Sequence, residues 1–169
     1  MDINEAKKIL EKYDYDWKEI EDNNADKDFK KFNVPKETIQ QWYLEGYKKR
    51  IFDFKSKFLS GEDASRVLWS LYHSFWVYVD DAGFVEICNT LFSNINRLTP
   101  ELEINYYIPL IGLTRPNNYM PKLSVENKNK AISFMKERLS IILESNPVLQ
   151  QKYQHLYNTC ESRLNNIRL

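Results

Sequence analysis

Acid–base or metal chemistry in this chain would have to start from two histidines, His73 and His155, two cysteines, Cys88 and Cys160, and the pair Asp80-Asp81 with Glu86 close behind. A histidine metal site needs several ligands converging, usually at an i, i+4 or short-loop spacing. No Cys, His or carboxylate stands at the helical offset from either histidine, so each reads as a structural or surface residue and no metal site is expected. Asp80-Asp81 with Glu86 is a sharper group, because paired acids can coordinate Mg²⁺ or share a proton. Yet Asp-Asp-Ala-Gly between two helical patterns is also the signature of a helix stop followed by an N-cap. One carboxylate oxygen on free backbone N–H groups accounts for it without a ligand.

Nucleophilic catalysis needs an activated Ser or Cys, a base and an oxyanion hole. Cys88 falls on the apolar stripe of its helix, where burial raises a thiol pKa and silences it. No Gly-x-Ser-x-Gly elbow, Walker or dinucleotide fingerprint is present, and four glycines are too few to cradle a phosphate. Asp22-Asn23-Asn24-Ala25-Asp26-Lys27-Asp28 resembles the start of a calcium-binding EF-hand loop. Lys27 stands where that loop needs glycine, and Asn33 where it needs its bidentate glutamate, so a solvated acidic loop is the better reading. No cofactor is expected.

Two charged stretches are candidates for partner binding. Lys48-Lys49-Arg50, with Lys55 and Lys57, is the densest basic run. Consecutive helical residues point about 100° apart, so the triplet cannot form one stripe. Phe54 and Phe58, which nucleic-acid stacking would require, belong to the core face. The second stretch is acidic. Asp14, Tyr15, Asp16, Trp17, Glu19, Glu21 and Asp22 mix carboxylates with two aromatic anchors, a common recipe for a protein-binding patch. This stretch is the candidate partner-binding surface; the competing account is an outer helix with Trp17 inward and its acids in water.

The elements that must position these residues follow from composition and periodicity. A chain of 169 residues with 43% hydrophobic and 28% charged residues fits one globular domain, 1–169. Twenty-four basic residues balance 24 acidic ones, which disfavours a dedicated nucleic-acid binder. The charge is uneven: residues 11–28 hold eight acids against three lysines, and residues 122–169 hold eight bases against four acids. A neutral protein with separated charge can still steer a charged partner. Two isolated cysteines fit a reducing cytoplasm. The first residues form neither a basic nor an apolar leader, and no run approaches 18 apolar residues, so neither a signal peptide nor a membrane span is expected. Seventeen lysines against seven arginines, with frequent Asn, Ile and Tyr, accompany AT-rich coding and point to a bacterial origin.

Apolar residues recur at spacings of three and four through most of the chain. The first such stripe runs from about Asn4 to Asn23 through Ile9, Leu10, Tyr13, Trp17 and Ile20. A second opens at Pro35 and ends at Ser60-Gly61, and a third begins at Asp63 and continues without a break through Phe75-Trp76-Val77-Tyr78-Val79. Helix starts are signalled at Asp80-Asp81, Thr99-Pro100, Ser124 and Asn146-Pro147. Three prolines and a glycine between Pro109 and Pro121 predict an irregular segment there, with Pro109 stopping the preceding helix and Leu110, Ile111 and Leu113 tucked into the core. The expected fold is all-α, a single irregular bundle of six or seven antiparallel helices.

Such a protein, neutral and with separated charge, reads as a non-enzymatic protein-binding module. A bacterial immunity-type protein that neutralises a cognate toxin is the specific expectation, its partner a basic toxin domain. The alternative is an enzyme or small-ligand-binding protein whose site is assembled between helices from Asp80, Asp81, Glu86, His73 and Arg115.

Overall fold

The computed structural model describes residues 36–115 and 122–167. Among these, the regular structure is all helical: α1 (Lys36–Leu59), α2 (Ser65–Ser74), α3 (Asp81–Phe92), α4 (Pro100–Leu113), α5 (Val125–Glu144) and α6 (Pro147–Ile167), with 3₁₀ turns at Trp76–Tyr78 and Ile95–Arg97. The expected helix at 4–23, the acidic loop after it, and the prolines at 35, 116 and 121 lie outside the described residues. None of the described helices is long and apolar enough to cross a membrane.

Helix boundaries follow the capping chemistry written into the chain. Asp80 caps α3 by accepting the Gly83 N–H at 2.9 Å. Thr99 accepts the Leu102 N–H for α4, Ser124 the Asn127 N–H for α5, and Asn146 the Leu149 N–H for α6. Each satisfies one of the donors that a first helical turn leaves free. Asp63 accepts the Ser65 N–H at 2.9 Å just ahead of α2. At the end of α1, Gly61 takes a φ of +87°, the Gly61 N–H reaches the Phe58 carbonyl and the Glu62 N–H the Lys57 carbonyl. That is a Schellman closure, and its left-handed residue favours glycine.

Two expectations are corrected. Pro109 does not stop its helix; α4 carries it internally and runs four residues further, to Leu113, so the irregular segment does not begin at 109. Proline in a helix interior costs about 3 kcal/mol, by removing an N–H and crowding the carbonyl four residues back. That carbonyl belongs to Asn105, an exposed residue that water can reach. The flanking Tyr106, Tyr107, Leu110, Ile111 and Leu113 are buried, and burying one large apolar side chain contributes roughly 1.5–3 kcal/mol, so packing outweighs the penalty. The expectation that Leu110, Ile111 and Leu113 enter the core holds.

The second correction concerns α2. Its helical pattern does not run through Phe75–Val79: the α-helix ends at Ser74, Trp76–Tyr78 tighten into a 3₁₀ turn, and Val79 is extended at φ −63°, ψ 117°. The cap explains the break, because an N-cap residue needs non-helical backbone and Asp80 sits at φ −112°, ψ 171°. Phe75 and Val79 remain fully buried on either side of the turn.

All six helices contribute to the core. Along α1, Tyr43, Tyr47, Ile51, Phe54 and Phe58 are buried at spacings of three and four. Phe54 and Phe58 meet the Tyr106 ring of α4 edge-on, with centroids 6.3 and 5.4 Å away. Phe92 of α3 stacks on Phe134 of α5 at 4.0 Å. The most extensive helix–helix contact joins α5 to α6.

Candidate functional site

The acidic pair is spent on the fold. Asp80 Oδ1, besides capping α3, accepts the Tyr47 hydroxyl at 2.8 Å and so ties α3 to α1. Burial pushes that hydroxyl well above the usual tyrosine range. Asp81 accepts the Ser124 N–H at 2.8 Å, joining α3 to the start of α5. Hydrogen bonds from Asn127 and then from Ser124 hold its carboxyl below the usual aspartate value. Glu86 faces Lys55 of α1 at 3.5 Å. These three acids therefore answer to three different partners. His73 stacks on Trp69 with centroids 5.5 Å apart and tilts against Tyr72 at 4.8 Å. Cys88 and Cys160 are free and buried. Burial pushes Cys88 far up and Cys160 up to about 11, which keeps both as thiols near neutrality.

The basic triplet divides as helical geometry requires. Lys48 and Lys49 are exposed, whereas Arg50 turns inward, donates to Ser70 Oγ at 3.1 Å and lies over the Phe75 ring. The acidic candidates Asp14, Tyr15, Asp16, Trp17, Glu19, Glu21 and Asp22, like the EF-hand-like loop, lie outside the described residues. Among the described residues, no three His, Cys, Asp or Glu side chains gather where a metal could bind.

Sequence reasoning missed two polar assemblies. In the first, Glu103 of α4 is 2% exposed and Arg138 of α5 grips it with both edges of its fork, Nε to Oε2 at 3.0 Å and Nη2 to Oε1 at 2.9 Å. The Tyr107 hydroxyl donates to the same carboxylate at 2.6 Å. Glu103 holds the Arg138 guanidinium above its ordinary value, while burial, and then Glu103, raises Tyr107. This is a two-helix clamp with every strong acceptor supplied.

The second assembly surrounds the C-terminal end of α4. Lys128 of α5, 1% exposed, donates to the Arg115 carbonyl at 2.9 Å. Arg163 of α6 donates through Nη1 to the Ile111 carbonyl and to Thr114 Oγ1. The Arg115 guanidinium lies over the Tyr72 ring at 5.2 Å. That ring packs on α4 where Gly112 leaves room; a Cβ there would sit 2.7 Å from it. Burial first, and then Arg163, hold the Lys128 ammonium below the usual lysine range. Burial also lowers Arg163, with Arg115 adding to the effect and Cys160 opposing it. The signal for Lys128 was its register, since it shares a face with Ala131, Ile132, Met135 and Leu139. Glu103 likewise stands one turn before the buried Tyr106 and Tyr107.

Comparison of the chain with protein-family models, with curated proteins and with solved structures finds no match in any of the three.

Proposed function

We propose that this chain is a non-enzymatic protein-binding module, and specifically an immunity-type protein that neutralises a cognate toxin. One observation carries the reading: Asp80, Asp81, Glu103 and Cys88, groups that acid–base or nucleophilic chemistry could use, are engaged in holding helices together. Asp80 caps α3 and holds Tyr47, Asp81 anchors the start of α5, Glu103 is clamped by Arg138, and Cys88 is packed in the core. A scaffold whose reactive groups serve its own packing acts through its surface. The surface assigned to the partner is the acidic stretch Asp14, Tyr15, Asp16, Trp17, Glu19, Glu21 and Asp22, and the partner is a basic toxin domain whose active site these acids cover. On this reading the chain is a single cytoplasmic domain of bacterial origin, its helices running antiparallel to their chain neighbours in an irregular bundle.

Affinity capture from the native cell tests the reading. The full chain is compared with a variant carrying Asp14→Ala, Asp16→Ala, Glu19→Ala and Glu21→Ala. A basic polypeptide retained by the wild type, inhibited by it and lost from the variant supports both the class and the surface. Equal retention by the two proteins removes the acidic stretch from the interface. A retained partner whose activity is untouched by binding removes the neutralising role.

A further inference from the structure

We draw no further inference here: the strongest candidate, the outward face of α1 where Phe52 and Leu59 stand exposed beside Lys48, Lys49 and Lys55, carries nothing because nothing in the structure shows what covers it.

Discussion

Glu103 places a buried charge in the contact between α4 and α5. Its carboxylate is buried and its charge is balanced by Arg138, which is itself 28% exposed. Removing one member of a buried ion pair leaves the other uncompensated, whereas replacing both with apolar groups is often close to neutral. Arg138→Met is therefore expected to destabilise the protein by about 2–4 kcal/mol, and Tyr107→Phe by about 1–2 kcal/mol. The Glu103→Gln/Arg138→Met double variant is expected to lose less than the sum of its single changes. Urea unfolding at neutral pH of the wild type, the Tyr107→Phe, Glu103→Gln and Arg138→Met single variants and the double variant measures these losses, and additive losses would remove the clamp as a coupled unit. The residue types were visible in the sequence, but their pairing was not: 35 positions separate Glu103 from Arg138, and only the packing of α4 on α5 brings them together.

At the scale of elements, the junction between α2 and α3 depends on Asp80. The side chain caps α3 and also receives the Tyr47 hydroxyl from α1, so its loss frees one backbone donor and one buried hydroxyl together. Asp80→Ala is expected to cost about 1–2 kcal/mol, with Asp80→Asn recovering most of it because Asn is an equally good cap. Thermal unfolding of the two variants checks this; equal losses would show that charge, not capping, is the useful property. Capping signals were legible because they are local: a cap and the N–H groups it serves lie within four residues. The course of α4 through Pro109 was not, since the local rule against proline was overridden by tertiary burial of the residues around it.

For the whole molecule, two carboxylates tie stability to pH. Asp63 is held below the usual aspartate value by the Ser65 N–H, and Asp81 by Asn127 and then Ser124. A depressed folded-state pKa means that the unfolded chain binds protons first as the solution is acidified. The contribution is thus complete above the unfolded value of about 3.9 and is lost as pH falls through the lower folded value. Unfolding free energy is expected to decline on acidification from roughly pH 5 downward, and Asp81→Asn is expected to flatten part of that slope. Chemical denaturation across this pH range measures it, and an unchanged slope in the variant would move the effect to other groups.

The sequence by itself determined the helical class of the described residues, the caps at Asp80, Thr99, Ser124 and Asn146, the glycine closure at Gly61 and the inward face of α1. All of these arise from neighbours within a turn or two, where spacing and side-chain chemistry act directly. Tertiary structure alone decided that Pro109 stays helical and that the α2 pattern breaks before Asp80. It also decided that Glu103 meets Arg138 and that Arg115, Lys128 and Arg163 surround one helix end. Those outcomes depend on which helices pack together, and burial across such contacts outweighs the one to three kcal/mol, roughly, that local preference can impose.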